Sequence, residues 1–189
     1  MCKVLAVNGS PRHNGNTAAM LKTVLAVCEK AGYETELYQA GGKPVCGCTA
    51  CGGCGKHPGS CTTDDWMNEL YAKMAEAEAI LLGSPTYFAD LTPEIKAIID
   101  RTGFISRHDN MKFSRKIGAA VSAVRRAGSI HTLDSINHFF LINDMIVPGS
   151  SYWNMSLSRD LDTYVLDGEG METMERLGEN IVWLLKMLK

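Results

Sequence analysis

The chain is expected to fold as one α/β domain, a three-layer sandwich whose five-stranded parallel sheet of order 2-1-3-4-5 carries helices on both faces. Three observations lead there. Short apolar runs alternate with stretches of helical periodicity, as buried parallel strands and their crossover helices do. Two of these runs, Val4-Leu5-Ala6-Val7 and Ala79-Ile80-Leu81-Leu82, are followed by a Gly-Ser-Pro turn. A length of 189 residues suits one core under one open sheet, so residues 1–189 are read as a single domain with a cysteine-rich insert at 46–61.

The elements follow in order. Val4 to Val7 is the first strand, and Asn16-Thr17 leads into the helical pattern Ala18-Ala19-Met20-Leu21, Val24-Leu25, Cys28. Glu34 to Tyr38 is the second strand, closed by Gly41-Gly42-Lys43-Pro44. Asp64-Asp65 start a helix through Trp66-Met67, Leu70-Tyr71 and Met74. Ala79 to Leu82 is the third strand, and Thr92-Pro93-Glu94 opens a helix with proline at its first position, continuing through Ile95, Ile98 and Ile99. Ile117 to Val121 is the fourth strand, Ile130 to Leu141 a helix, Met145-Ile146-Val147 the fifth strand, and about 171 to 188 the last helix. Ser150 to Gly170, with Tyr152-Trp153-Asn154 and Arg159-Asp160-Leu161-Asp162, has no periodicity and reads as a long loop of functional or intersubunit character. This arrangement is the flavodoxin-like order of a doubly wound sheet.

Charge excludes some partners. A formal net charge of −2 with no block of Lys or Arg offers neither nucleic acid nor an anionic membrane an electrostatic footprint. Lys3 to Val7 is too short for an export signal and no apolar stretch is long enough to span a bilayer, so a cytoplasmic location is expected. The five histidines are scattered, and neither a Ser-His-Asp set nor a carboxylate pair is legible, so no catalytic residue is assigned.

In such a sheet a ligand sits beyond the carboxyl ends of the strands, at the switch point between the first and third. The loop Gly9-Ser10-Pro11-Arg12-His13-Asn14-Gly15-Asn16-Thr17 lies there. Its N–H groups, the side chains of Ser10, Asn16 and Thr17 and the helix start suit a terminal phosphate, with Arg12 adding charge. Gly15-Asn16-Thr17 lacks the lysine of a Walker loop, G-x-G-x-x-G is absent, and no cysteine is present for thiol phosphatase chemistry. An ordinary polar turn is the bland alternative, and His13 and Asn14 fit solvent as well as ligand. Pro85-Thr86-Tyr87-Phe88 offers polar backbone beside two aromatic rings, a wall for a flavin or simply a cap on the core. Val124-Arg125-Arg126-Ala127-Gly128 forms a third loop over the same crevice, its arginines suited to a flavin edge, a nicotinamide-cofactor phosphate or plain solvent.

Seven cysteines without an export signal argue against a disulfide framework. Cys48, Cys51 and Cys54 are successively separated by two intervening residues and Cys61 follows after six more, a spacing similar to the compact run that holds iron–sulfur clusters. Zinc and a Cys51–Cys54 redox dithiol are the alternatives. Cys46 is a spare thiol beside the set, and His57 in the same loop reads as solvated.

Gly9-Ser10-Pro11-Arg12 with Asn16-Thr17, then Gly83-Ser84-Pro85-Thr86-Tyr87-Phe88 continuing to Lys96 and Asp100-Arg101, resemble the NAD(P)H-dependent FMN reductases of flavodoxin-like fold. With the cysteine segment, the chain is similar to the iron–sulfur flavoprotein branch of that family. The resemblance implies FMN on Ser10, Arg12, Asn14, Asn16, Thr17, Pro85, Thr86, Tyr87, Phe88, Val124, Arg125 and Gly128, and a [4Fe-4S] cluster on Cys48, Cys51, Cys54 and Cys61. It also implies NAD(P)H or a protein donor such as ferredoxin as partner, and a homodimer or homotetramer. The competing functions are an FMN- or quinone-reducing flavoprotein without a cluster, and a zinc-stabilised binding module without turnover. Trp153 and Tyr152 fit a cover over a neighbouring subunit's flavin, or plain packing.

Overall fold

A computed structural model describes residues 3–161 and 163–188; Cys2 and Asp162 lie outside them. Strands β1 (Lys3–Asn8), β2 (Glu34–Gln39), β3 (Ala79–Pro85), β4 (Ile117–Val124) and β5 (Met155–Leu157) pair in the order β2-β1-β3-β4-β5. Every pairing is parallel, from Val4 against Ala79 in the middle to Val124 against Leu157 at the edge. Five helices connect them, α1 (Asn16–Lys30), α2 (Trp66–Glu76), α3 (Pro93–His108), α4 (Ser129–Ile142) and α5 (Gly168–Met187).

Because successive strand side chains point to opposite faces, each buried strand feeds two cores. Leu5, Val7, Ile80 and Leu82 face α2, α3 and α4, meeting Leu70, Ile98 and Phe139. Val4, Ala6, Ala79 and Leu81 face α1 and α5, meeting Leu21, Val24, Leu177 and Ile181. A strand buried on both sides has no polar face, which is why β3 and β4 read as unbroken apolar runs.

Helix starts follow local chemistry. The Asp65 carboxylate accepts the Met67 N–H at 3.1 Å, and the Asp167 carboxylate accepts the Gly170 N–H at 3.0 Å. Thr92 caps α3 ahead of Pro93, whose missing N–H costs nothing at a first helical position. By contrast α1 and α4 begin at Gly15 and Gly128, which have no side chain to cap with.

The far edge differs from expectation. Met145-Ile146-Val147 is not the fifth strand; Ile146 makes only an isolated parallel bridge to Ile117, and the ladder on β4 is completed by Met155–Leu157. The polar centre Ser156 hid that strand, since its buried hydroxyl is satisfied locally by Ser158 at 2.7 Å instead of being apolar. The segment from 150 to 170 is therefore no featureless loop. It carries β5, a 3-10 turn at Thr163–Leu166 and the beginning of α5, whose Gly168-Glu169-Gly170 opening resembles a turn in sequence.

Gly118 marks where β4 and α4 pack most tightly, because a Cβ there would lie 2.5 Å from the Phe140 ring. Phe140 is fully buried and has nowhere to retreat. Gly118→Ala is expected to cost about 1–3 kcal/mol by overpacking, read as a lowered urea midpoint with an unchanged slope; an unchanged midpoint would contradict this packing.

Candidate functional site

The carboxyl ends of β1 and β3 meet without side chains between them. Gly9 N–H donates to the Gly83 carbonyl at 2.8 Å, and a Cβ on Gly9 would sit 2.9 Å from that oxygen and 2.3 Å from Ile95. Thr92 ties α3 to the same junction by donating its hydroxyl to the Gly9 carbonyl at 3.1 Å. Asn8 and Gln39 hold the loop from below. The Asn8 side-chain Oδ1 accepts the Ser10 N–H at 3.1 Å, its Nδ2 donates to Gln39 Oε1 at 2.7 Å, and Gln39 Nε2 donates to the Ser10 and Gly41 carbonyls. The loop after β2 closes on top, for a Cβ on Gly41 would come within 2.2 Å of the Ser10 carbonyl carbon.

This loop then hands over to the uncapped start of α1. The Ser10 hydroxyl accepts the Arg12 N–H at 3.2 Å, Thr17 is buried, and Arg12, His13 and Asn14 face solvent. Asn14 accepts from Lys22 at 3.2 Å. Asn16 spends its side chain elsewhere, donating to the Asp160 carbonyl at 2.7 Å and accepting the Tyr164 N–H at 3.1 Å. It fastens the segment after β5 beneath the loop. The first-turn N–H groups of α1 receive no side-chain cap, leaving donors at the positive end of the helix dipole.

The second wall is a tight turn. Tyr87 and Asp90 exchange both backbone hydrogen bonds, at 2.7 and 3.0 Å, so Phe88 and Ala89 occupy the centre with φ of 47° and 66°. Left-handed backbone at two successive residues with side chains costs about 1–2 kcal/mol each, and its product is a Phe88 ring standing wholly in solvent. Strain of this kind concentrates at ligand sites. Pro85 and Thr86 are half-buried below it. Thr86 bonds the Ser122 hydroxyl at 2.9 Å and receives the Thr132 hydroxyl at 3.2 Å, which locks the turn to β4 and α4.

The third wall, from Val124 through exposed Arg125 and Arg126 to Gly128, closes against the second. Gly128 has φ of 96°, and a Cβ on it would meet Ala89 Cα at 3.0 Å and Thr86 Cγ2 at 3.2 Å. All three loops expected to form the crevice therefore stand together at one edge of the sheet.

The cysteine segment forms a second site. Cys48, Cys51, Cys54 and Cys61 line one cavity of about 110 Å³, with Arg101, Phe104 and His108 of α3 completing it. Left-handed Ala50 and Gly52 turn the chain between the first thiols. Ala50 N–H donates to Cys48 Sγ at 3.4 Å, and the Thr62 hydroxyl stands 3.4 Å from Cys51 Sγ. That hydroxyl, more than any other contact, holds the Cys51 thiol below its ordinary range. Burial pushes the Cys54 thiol up, and the neighbouring Cys48, Cys61 and Cys51 add to the rise. At Cys61 burial also acts upward, but the Thr63 N–H and the Arg101 guanidinium outweigh it and bring the thiol down. Among the described residues no three His, Cys, Asp or Glu side chains close on a single metal ion. Cys46 and His57 lie outside the cavity lining, while His108 is part of it. Cys28 is buried under α1 and pushed up to about 12 by that burial, an inert core thiol.

Arg101 is the residue at this site that composition and spacing did not single out. It falls on the apolar stripe of α3 between Ile98 and Ile105 and is 2% exposed. A cation on a buried stripe is the signal that could have marked it. Its Nη1 and Nη2 grip the Asp65 carboxylate at 2.6 and 2.8 Å, a bidentate pair that also anchors the cap of α2.

A profile described as NADPH-dependent FMN reductase matches residues 2–160. The chain belongs to this FMN reductase family. An iron–sulfur flavoprotein of Methanocaldococcus jannaschii is 32% identical over 194 residues, covering 99% of both chains. An iron–sulfur flavoprotein of Methanosarcina thermophila is 29% identical over 195 residues, covering 99% of this chain and 97% of the other. Among solved structures, a WrbA-like flavodoxin from Agrobacterium tumefaciens superposes with a TM-score of 0.70 over 100% of both chains at 16% identity. An archaeal flavodoxin does so at 0.64 over 98% and 99% of the two chains, at 19% identity. The fold is flavodoxin-like and the family is one of FMN-dependent oxidoreductases.

In this family member the Asp65–Arg101 pair sets an acid limit on stability. The Arg101 guanidinium, acting chiefly through its hydrogen bonds, holds the Asp65 carboxyl below the usual carboxylate range. The contribution is therefore complete above the unfolded value of about 3.9 and is lost as pH falls through the lower folded value. Denaturant midpoints followed from neutral pH to about pH 3 are expected to fall more steeply for the wild-type chain than for Asp65→Asn. Parallel curves would contradict this.

Proposed function

We propose that the chain binds FMN in the carboxyl-edge crevice, holds an iron–sulfur cluster on Cys48, Cys51, Cys54 and Cys61, and relays electrons between them. NAD(P)H or a ferredoxin-type protein is the donor in this reading. The observation that carries it is the convergence of four thiols on one cavity of about 110 Å³, where a lone water needs only about 10–15 Å³. Zinc would draw four sulfurs to about 2.3 Å from one point; a multi-iron group fills a larger space, and four cysteines without other ligands are its ordinary donor set. The curated relatives named above carry both groups in their names.

The chain's own residues divide the work. Ser10, Thr17 and the N–H groups opening α1 receive the phosphate, standing in for the missing cap on that helix. Arg12 adds charge, and Asn14 stands at the loop's rim. Asn16 holds the Asp160–Tyr164 segment against the loop. Pro85, Thr86, Tyr87 and Phe88, with Val124, Arg125 and Gly128 packed beside them, would hold the ring. When bound, FMN supplies two-electron chemistry and an iron–sulfur cluster one-electron exchange, so the chain supplies position and electrostatics and no acid or base. Helix α3 links the sites, since Thr92 touches Gly9 and Arg101 lies about 14 Å of helix further on.

A single cytoplasmic domain assembled as a homodimer or homotetramer completes the reading. No helix among the described residues is long and apolar enough to cross a membrane. Tyr152, Trp153, Leu157, Leu161, Val165 and Trp183 are more than half exposed, an apolar surface of the kind that subunit contacts cover.

Anaerobic purification followed by flavin, iron and sulfide analysis tests the function. Flavin with about four irons per chain is expected, and Cys48→Ser or Cys61→Ser should lose the iron and keep the flavin. A colourless zinc protein would overturn the reading, and flavin without iron would leave a reductase of free flavin or quinone. In the crevice, Thr17→Val and Ser10→Ala are each expected to weaken FMN binding about tenfold or more, measured by quenching of flavin fluorescence. Unchanged affinity in both would contradict the placement of the phosphate.

A further inference from the structure

Arg101 has more donors than the fold uses. Beyond the two bonds to Asp65, Nη2 reaches the Thr63 carbonyl at 3.4 Å, and Nη1 reaches the Cys46 carbonyl at 3.5 Å and Cys46 Sγ at 4.0 Å. Nε is buried and has no acceptor among the described residues. An unsatisfied buried donor costs about 1–3 kcal/mol, and more when it is charged, so an arginine retained in this state calls for a further acceptor. The residue lines the same cavity as Cys48, Cys51, Cys54 and Cys61. Asp65 cancels its charge formally through a bidentate pair on Nη1 and Nη2, and Nε takes no part in that pair.

We propose that Arg101 is a positioning residue for the iron–sulfur site, with Asp65 as its counterion, and that the pair sets how readily that site accepts an electron. The inference rests on the four cysteines holding an iron–sulfur group. Hydrogen bonds and charge beside cluster sulfurs are among the levers by which a protein sets such potentials. A cation in the cavity lining favours the reduced, more negative form, and a carboxylate paired with that cation moderates the preference. The two substitutions should therefore act in opposite directions. Removing the cation makes reduction harder, whereas neutralising its counterion makes reduction easier.

The experiment is an anaerobic spectroelectrochemical titration of the iron-loaded, FMN-loaded protein as wild type, Arg101→Gln and Asp65→Asn. Asparagine caps a helix as well as aspartate, so Asp65→Asn keeps the start of α2. For Arg101→Gln the reduction equilibrium of the iron–sulfur site is expected to fall tenfold or more, which for one electron is a downward shift of about 59 mV. For Asp65→Asn the shift is expected upward, and the flavin potential serves as an internal control that neither variant moves. Shifts of the same sign in both variants, or reduction equilibria within twofold of wild type in iron-replete protein, would overturn the inference and leave the cluster reading intact. If Arg101→Gln does not fold, the sign of the Asp65→Asn shift decides. Wild-type protein that takes up no iron would overturn the cluster reading and this inference with it.

Discussion

The hydrogen bond from Gly9 to the Gly83 carbonyl carries the β1–β3 ladder one step beyond the first strand, at a place where neither residue has a side chain to keep the backbones apart. Much of the carboxyl edge depends on that junction. It fixes where the chain leaves the sheet into the Ser10–Thr17 loop, and it brings Thr92 close enough to bond the Gly9 carbonyl, which sets the start of α3. The loop after β2 can close over Ser10 only because Gly41 is also bare. A parallel sheet places its crevice at the switch point between such strands, and here the crevice is bordered by two helices that open without caps.

Helix α3 then carries the consequence of that junction to the second site. Its first residues stand beside the Ser10–Thr17 loop, and its later turns present Arg101, Phe104 and His108 to the cysteine cavity. The pair of buried Arg101 and partly exposed Asp65 binds α3 to the start of α2 and, through the Thr63 and Cys46 carbonyls, to both ends of the cysteine segment. Removing either partner of such a pair leaves an uncompensated charge, which costs far more than the intact pair contributes. The segment from 46 to 61 is thus not a free appendage but is tied to the helices on one face of the sheet, through Arg101, through the Asn68 bonds to Cys61 and through Trp66 Nε1 donating to Pro44.

Much of this was legible from residue order. Apolar runs such as Ala79 to Leu82 locate the central strands because those strands are buried on both faces, and Thr92-Pro93 locates a helix start because its chemistry is local. The fifth strand was misplaced because Met155-Ser156-Leu157 is short and has a polar centre satisfied by a neighbour, whereas Met145 to Val147 has the apolar look without the ladder. The same logic separates the site residues. Ser10, Thr17 and Thr86 stand where the loop pattern puts them, but the use of Asn16 as a tie to Asp160 and Tyr164 depends on a segment far away in sequence. Arg101 is the sharpest case, since its partners Asp65, Thr63 and Cys46 come from other parts of the chain and only its place on an apolar stripe hints at them.

In the proposed reading one chain holds FMN at the β1–β3 crevice and an iron–sulfur group in the four-cysteine cavity. An anaerobic crystal structure with anomalous scattering recorded at the iron edge decides between the occupants. Iron density is expected inside the cavity lined by Cys48, Cys51, Cys54 and Cys61, with a flavin phosphate over the Ser10–Thr17 loop. Iron absent from a cavity occupied by zinc, or a flavin phosphate bound anywhere other than the start of α1, would contradict it.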